Sequence, residues 1–416
     1  MRNKKLILFI FLLFVLTAIE IPAIYLVPIQ AVIFLFLVWW RNKTKNIYPK
    51  LYHIINIYLV WCIICCIRGL LIAENYTEYR QLSVGTMNIM LPLIVWLTYD
   101  PQEVSQIYRF WFKCIFPLSI LILLFGVKVS AFISPLLLLA FLSFAFPKKL
   151  KWLTTFCCLF YIIYNYHIGD RVPAAKMLAI LLFWLLTFMR YSNSLRVIRK
   201  IQIACYGFSL ILFIFIMSDI AKVFIEKESQ YSVLAQYDEQ ERIKDTRSLL
   251  YIDVINSAIN EHYVLFGHTP ARGNKVDVSS ILFLYAYEDG LDSKSFNKEE
   301  RFDNEALHLN IFTWLGLVGL ILYSLIYFRA SYLAVFHSNN KFMRLMGCIV
   351  ALYWTFGFVE TTNKIDLTNF VLWTSIGMCY SDRFRNMDNF EFANWCRTIV
   401  SNKHLKIARL LSNARS

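Results

Sequence analysis

The chain of 416 residues is too apolar for a water-soluble protein: 58% of its residues are hydrophobic, 17% are charged, and its mean hydropathy is +0.52. Soluble domains carry about 25% charged and about 45–50% apolar residues. The composition therefore excludes a soluble enzyme, a disordered regulator and a secreted disulfide scaffold, and it predicts a protein embedded in a lipid bilayer. In such a protein, a net charge of +14 is typical of basic cytoplasmic loops.

Twelve stretches are predicted to cross the membrane, since a span needs about 20 apolar residues. Pro22 and Pro28 interrupt the first long apolar run, which is therefore interpreted as a hairpin of two spans. The predicted spans are 6–20, 23–40, 52–72, 83–99, 108–126, 130–146, 152–167, 174–190, 201–218, 308–328, 342–359 and 369–382. The predicted fold class is an all-α integral membrane protein of about 12 transmembrane helices, with both termini in the cytoplasm.

Basic residues are distributed as the positive-inside rule requires for this topology. The segments predicted to be cytoplasmic hold 25 Lys and Arg residues, whereas the short outer loops hold five. A change of one span would place several of the basic clusters outside. The even number of spans also leaves the basic tail, residues 383–416, on the cytoplasmic side.

One polar segment of 89 residues, 219–307, interrupts the spans on the predicted outer face. It contains 10 Lys and Arg and 17 Asp and Glu, a net charge of −7, so the rest of the chain carries +21. The chain is thus divided into nine spans in 1–218, a large extracytoplasmic loop with amphipathic helices, three spans in 308–382 and a cytoplasmic tail. We find no internal repeat, which disfavours a transporter built from inverted repeats.

Three stretches on the predicted outer face carry distinctive residues. Arg171 leads the apolar helix RVPAAKMLAILL, and Arg247 begins an amphipathic helical pattern, 247–264, which is followed by the turn LFGH. Glu305 begins the third stretch, EALHLNIFTWLGLVGL, in which a helix contains a G-x-x-G turn. In their residues, order and sidedness these stretches resemble the family of bacterial O-antigen polymerases and ligases.

The resemblance implies glycosyl transfer from an undecaprenyl-diphosphate-linked oligosaccharide at the outer face of the bacterial cytoplasmic membrane. A hydroxyl of one repeat unit would displace the polyprenyl diphosphate of another, and a single displacement would invert the anomeric carbon. We expect a multi-pass, metal-independent inverting glycosyltransferase that needs no cofactor. Its expected partners are the lipid-linked oligosaccharide, membrane lipids and a chain-length regulator protein, but not nucleic acid.

The resemblance places the catalytic base at the start of the third stretch. Many family members, ligases above all, have a histidine where Glu305 falls, whereas here His308 follows three residues later. Residues three apart share a face of a helix, and either side chain can accept a proton from the acceptor hydroxyl. Since some polymerases have an acidic residue at this position, the departure favours a polymerase over a ligase.

Arginines are expected to bind the diphosphate, because a guanidinium remains charged and binds phosphate through two parallel hydrogen bonds. The first-rank candidates are Arg171, Arg247 and Arg272. The second-rank candidates are His268, Arg301 and Arg68. No metal site is expected, since no cluster of His, Cys and Asp has the spacing of a catalytic metal site. The ten cysteines avoid the polar segment, so a disulfide framework is not expected either.

Each candidate residue also has a structural interpretation. Arg171 and Arg247 can pair with neighbouring carboxylates, and Arg171 can also reach lipid phosphates. Glu305 can cap the N-terminus of the tenth span, and His308 can be a buried packing residue. Arg68 lies within the third span, where a long basic side chain can extend to the membrane surface.

Three other functions stay open. A ligase would transfer finished glycan to lipid A core or to protein, and loss of its gene would leave polymer on the carrier. A flippase or transporter would move its substrate without forming glycosidic bonds, and its key charges would lie near the bilayer midplane, not in a loop. A non-catalytic scaffold would tolerate loss of the arginines.

Overall fold

The computed structural model describes residues 2–19, 22–44, 52–124, 130–169, 171–189, 194–217, 247–275 and 300–401. These ranges are predominantly helical. The α-helices are Arg2–Leu16, Ala23–Thr44, His53–Ile72, Tyr76–Ile89, Ile94–Leu97, Pro101–Phe110, Phe116–Leu124, Ser130–Ile133, Leu136–Leu142, Lys148–His167, Arg171–Leu186, Leu195–Met217, Arg247–Asn260, Leu307–Phe336, Lys341–Phe356, Leu367–Tyr380, Asp382–Arg385 and Asn389–Val400. Two 3-10 turns, Leu91–Leu93 and Ser143–Ala145, and a π-helical segment, Trp111–Ile115, connect some of them.

Among the described residues, three helices are long and apolar enough to cross a bilayer: Ile24–Thr44, His53–Ile72 and Leu307–Phe336. The pair Tyr76–Leu97 and Pro101–Ile122, bent by 110°, gives a fourth if it is counted as one span. The helical fold and the presence of helices of span length confirm the coarse prediction of a helical membrane protein. Twelve spans and the sidedness of the loops stay predictions.

The bend in this pair has a local cause in the sequence. Pro92 has no amide hydrogen to continue the helix that ends at Ile89, so the 3-10 turn Leu91–Leu93 leads into a short helix, Ile94–Leu97, which ends at the bend. Asp100 then accepts a hydrogen bond from the backbone N of Gln102 at 2.8 Å and caps a new helix that begins with Pro101. The bend lies near the end of the predicted span 83–99, and the spans 83–99 and 108–126 stay predictions.

The helix Asn389–Val400 packs beside this bend and against the 3-10 turn Ser143–Ala145. The indole of Trp395 donates to the carbonyl of Pro101 at 2.8 Å, and the guanidinium of Arg397 donates to the carbonyl of Ala145 at 3.2 Å. The tail also carries an amphipathic pattern at 396–411, of which the helix Asn389–Val400 covers 396–400. Residues 402–416 lie outside the described ranges.

The helix Leu307–Phe336 is broken at Gly316, whose backbone has φ +69° and ψ −172°. Residues 264–269, here called the crossing loop, pair with the backbone groups that the break leaves without helical partners. The bonds to the crossing loop are His268 N to Thr313 O at 2.7 Å, Thr269 N to Trp314 O at 3.1 Å, Leu317 N to Val264 O at 2.9 Å and Val318 N to Leu265 O at 3.3 Å. A fifth bond comes from the helix His53–Ile72, where Trp61 Nε1 donates to Leu315 O at 3.0 Å. Non-helical backbone at membrane depth requires such internal partners.

Of the predicted extracytoplasmic loop 219–307, the structure describes 247–275 and 300–307. The predicted amphipathic helix is observed as Arg247–Asn260, and its apolar face packs on the beginning of the broken helix. A short antiparallel ribbon follows, in which Asn274 pairs with Arg301 and Lys275 with Glu300. This ribbon and the crossing loop bring distant parts of the predicted loop to the start of the broken helix.

Candidate functional site

Arg68 binds the crossing loop through its guanidinium. Its Nη1 donates to the carbonyl of Phe266 at 2.8 Å, and its Nη2 donates to the carbonyl of Gly267 at 3.3 Å. These partners are neutral, so the bonds fix the guanidinium without neutralising its charge. Arg68 therefore lies at the crossing loop and does not extend freely to the membrane surface.

His268 is held in one orientation by its neighbours. Its Nδ1 lies 2.7 Å from the carbonyl of Gly273 and must donate, because a carbonyl only accepts; Nε2 then carries the lone pair of the neutral ring. The ring stacks on Tyr263 with centroids 4.6 Å apart. Burial lowers the pKa of His268, against the opposing effects of the Gly273 carbonyl and Glu300. The neutral imidazole is thus favoured, and its Nε2 is chemically suited to accept a proton.

Arg272 is already engaged by carboxylates. Its Nη2 donates to Oε1 of Glu300 at 2.7 Å and its Nε to the same oxygen at 3.0 Å, while Nη1 lies 3.7 Å from Oε1 of Glu78. Burial lowers the pKa of Arg272, but the hydrogen bonds and charge of Glu300 raise it overall. A diphosphate would have to displace Glu300 to bind here. The sequence offers no signal for this pairing, since Glu78 and Glu300 are far from Arg272 along the chain.

Arg301 and Glu305 form a looser pair, with 3.7 Å between Nη2 and Oε1. The Glu305 side chain is 51% exposed. Beside it, Nζ of Lys364 lies 2.9 Å from Oδ2 of Asp303, whose charge raises the pKa of Lys364. We call Arg301, Asp303, Glu305 and Lys364 the exposed charge group. It places two cations and two carboxylates at the start of the broken helix.

His308 does not meet Glu305. Its ring is 4% exposed, packs on Trp354 and Phe358, and places Nε2 2.9 Å from the carbonyl of Trp354. The expected shared helical face does not form, because the helix begins only at Leu307 and Glu305 lies before it. Among the described residues, Nδ1 of His308 has no hydrogen-bond partner. His308 is thus a buried side chain, whereas Glu305 is accessible.

Arg171 is the exposed first residue of its helix, and its predicted partner Asp170 lies outside the described ranges. Five residues later, the buried Lys176 forms an ion pair with Glu360 and lies near the ring of Tyr353. The backbone carbonyl of Glu360 accepts from the amide of Leu307 at 2.9 Å. The helix that Arg171 leads is therefore connected to the start of the broken helix. Sequence reasoning did not predict this ion pair.

Arg247 is the first residue of the helix Arg247–Asn260, and the structure describes its backbone but not its side chain. The same helix is attached to the site through Tyr251, whose hydroxyl donates to the carbonyl of Phe358 at 2.9 Å. The predicted role of Arg247 thus stays a prediction, while its helix is shown to contact the start of the broken helix.

A network of asparagines joins these groups, and sequence reasoning missed it. Asn304 is buried, its Nδ2 donates to Oδ1 of Asn274 at 3.1 Å, and its backbone N donates to Oδ1 of Asn310 at 2.6 Å. Nδ2 of Asn310 also donates to Oδ1 of Asp303 at 2.6 Å, and Thr361 donates to the carbonyl of Asn304 at 2.8 Å. The available signal was Asn310, a polar residue near the start of a largely apolar helix.

Within the part of the chain that the structure describes, no group of three or more His, Cys, Asp or Glu side chains could hold a metal ion. Metal independence stays a prediction. Five of the eight predicted residues form two groups: Arg68, His268 and Arg272 lie in or next to the crossing loop, and Arg301 and Glu305 belong to the exposed charge group. Comparison with known proteins gives no matching family model, no matching curated protein and no matching solved structure.

Proposed function

We propose that this chain is a membrane glycosyltransferase that polymerises polyprenyl-diphosphate-linked oligosaccharide repeat units at the outer face of the bacterial cytoplasmic membrane. The observation that carries the proposal is the accessible Arg301–Glu305 pair, which lies beside Lys364 at the start of a membrane-length helix. It combines cations that can bind a diphosphate with a carboxylate that can act as a base. The product would be a longer glycan, such as an O-antigen or a capsular polysaccharide.

In the proposed reaction, a hydroxyl oxygen of the acceptor unit attacks the anomeric carbon of the donor. Glu305 takes the hydroxyl proton, and the bond between the anomeric carbon and the diphosphate oxygen breaks with its electron pair going to the diphosphate. Arg301 and Lys364 would offset the negative charge of this leaving group. Glu305 is preferred to His308 as the base because Glu305 is half exposed, whereas His308 is buried against Trp354.

The connections among the three distinctive stretches support this assignment. The second and third are hydrogen-bonded to each other where the crossing loop pairs with the break at Gly316. The first is connected to the third through Lys176 and Glu360. Residues that are far apart in the chain thus meet around the start of one helix, as a site assembled from several outer segments requires.

The experiment is complementation of a gene deletion in the native host. The plasmids would encode the wild-type chain, Glu305→Gln, Arg301→Ala, Arg171→Ala or Arg247→Ala, and the readout would be the length ladder of the surface glycan. We expect single repeat units from the deletion strain and from Glu305→Gln and Arg301→Ala. Normal ladders from these last two variants, with both proteins present in the membrane, would overturn the proposed site.

The same experiment separates the other functions. Polymer retained on the polyprenyl carrier in the deletion strain would identify a ligase. Repeat units retained on the cytoplasmic side would identify a flippase. A normal glycan in the deletion strain would exclude all three glycan functions and would favour a scaffold.

A further inference from the structure

Close to the exposed charge group, several buried side chains have polar atoms without a hydrogen-bond partner among the described residues. Asn363 is fully buried, and neither its Oδ1 nor its Nδ2 has a partner in the described structure. The same holds for Oγ1 of Thr362 and Oδ1 of Asn304, in side chains that are 3% and 1% exposed. Most buried polar groups in proteins are hydrogen-bonded, so several exceptions at one place need an explanation.

These atoms lie close together, because contacts to residues 303–304 hold the chain on both sides of Thr362 and Asn363. The hydroxyl of Thr361 donates to the carbonyl of Asn304 at 2.8 Å, and Nζ of Lys364 lies 2.9 Å from Oδ2 of Asp303. Residues 361–364 are therefore held along residues 303–304. Thr362, Asn363 and Asn304, here called the amide group, lie between this hydrogen bond and this ion pair.

The chemistry of the amide group selects the class of ligand. Asn363 offers donors and an acceptor, Thr362 offers one hydroxyl, and Oδ1 of Asn304 is an acceptor. An anion would need donors alone, and a metal cation would need acceptors alone. A neutral set of mixed donors and acceptors matches sugar hydroxyls, each of which donates and accepts.

We propose that the amide group is a carbohydrate-binding subsite for the neutral sugar part of the acceptor repeat unit. Its substrate class rests on the proposed function, and its position next to Asp303 and Lys364 would place the acceptor beside Glu305. The subsite is closed in this structure, since Asn363 is fully buried. Release of the half-exposed Lys364 from Asp303 would let residues 361–364 move away from residues 303–304, so that the unpaired atoms of Thr362 and Asn363 form hydrogen bonds to the sugar.

The test measures binding without requiring catalysis. The probe is the repeat-unit oligosaccharide cut from the host's surface glycan, titrated into the purified full-length chain in detergent and followed by calorimetry. We expect Asn363→Ala and Thr362→Val each to weaken binding about tenfold, since each removes hydrogen bonds to the ligand. The matched control is Asn339→Ala, which removes an exposed amide that donates to the carbonyl of Asn386 and is expected to leave affinity unchanged.

Folding is checked on each variant by its thermal unfolding midpoint in detergent. If Asn363→Ala does not fold, the affinity for the oligosaccharide is measured on Asn363→Ser and Thr362→Val instead. No binding by the wild-type chain up to the solubility of the oligosaccharide would overturn the subsite, as would equal affinity of folded variants and wild type. Binding by the wild type together with a normal glycan in the deletion strain would support the subsite and refute the polymerase, so the two failures are distinguishable.

Discussion

Gly267 and Gly316 meet backbone to backbone where the crossing loop fills the break in the helix Leu307–Phe336. A Cβ at Gly267 would touch the nitrogen of Gly316 and would lie 2.6 Å from the nitrogen of Leu315. A Cβ at Gly316 would touch the carbonyl oxygen of Leu265 and would lie 2.5 Å from its carbonyl carbon. Both glycines also have positive φ, +73° and +69°. Glycine is thus required at both positions, for space and for backbone conformation.

Gly316→Ala is expected to destabilise the chain by more than about 2 kcal/mol, because the left-handed conformation alone costs about 1–3 kcal/mol and the Cβ has no space. The measurement is the unfolding free energy in detergent micelles. Gly169→Ala is the matched control: Gly169 has φ +88°, but a Cβ there would have no neighbour within 4 Å. Equal losses in the two variants would show that the close approach of the two backbones is not important.

Arg68→Lys is expected to loosen the crossing loop, since a lysine cannot donate to both the Phe266 and Gly267 carbonyls in the geometry of a guanidinium. Hydrogen bonds from a charged donor contribute about 1.5–3 kcal/mol. Hydrogen exchange of the amides of 264–269 should therefore rise about tenfold or more. Arg80→Lys changes an exposed arginine on a neighbouring helix and should leave this exchange unchanged. Unchanged exchange in Arg68→Lys would contradict the assigned role.

The sequence was sufficient to predict the elements whose pattern is local. The amphipathic pattern at 247–264 predicted the helix Arg247–Asn260, and the apolar runs predicted the helices of span length that begin near Ile24 and His53. The turn after this helix was also predicted, from the residues around Gly267. These features depend on periodicity and on turn residues, both of which are present within a few residues of each other.

The pairing of distant segments could not be predicted in this way. Gly316 lies within the predicted span 308–328, and the hydrogen bonds that stabilise its break come from the crossing loop, some fifty residues earlier in the chain, and from Trp61. Likewise, Arg272 is neutralised by Glu300, and a local pattern does not show which carboxylate a guanidinium will meet. Burial separates Glu305 from His308, although their spacing suggested a common face.

Glu305→Gln is expected to reduce polymerisation about 100-fold, because it removes the proposed general base. Its effect on unfolding should be within about 0.5 kcal/mol, since the side chain is half exposed. His308→Ala should have the opposite pattern, with stability affected more than polymerisation. It opens a cavity beside Trp354 and should cost about 2–3 kcal/mol of stability. The measurements are the glycan ladder and the unfolding free energy. Abolished polymerisation in a stably folded His308→Ala would make His308 the better candidate for the base.

Lys176→Met and Glu360→Gln are each expected to destabilise the chain by about 3 kcal/mol, because each leaves the other charge without its partner in a largely buried setting. The double variant removes both charges and should recover most of the loss. A double-mutant cycle of unfolding free energies in detergent measures the coupling. Additive losses would show that the ion pair does not connect the helix of Arg171 to the start of the broken helix.

Asp366→Asn is expected to change how stability depends on pH. Asp366 caps the helix Leu367–Tyr380 by accepting from the amide of Asn369 at 2.7 Å, and burial raises its pKa from 3.8 to about 6. The folded state therefore favours the protonated carboxyl. The stabilisation is complete below about pH 4, is lost as the pH rises towards 6 and changes no further above it.

An asparagine at position 366 cannot ionise but can still cap the helix. The unfolding midpoint of Asp366→Asn, minus that of the wild type, should therefore rise between pH 4 and pH 6 and then level off. Asp388→Asn makes the same chemical change at the exposed cap of Asn389–Val400, where Asp388 accepts from the amide of Glu391 at 2.7 Å. That variant measures the effect of replacing a capping aspartate as such. A difference for Asp366→Asn that is flat over this range, or that falls, would contradict the raised pKa and the burial that causes it.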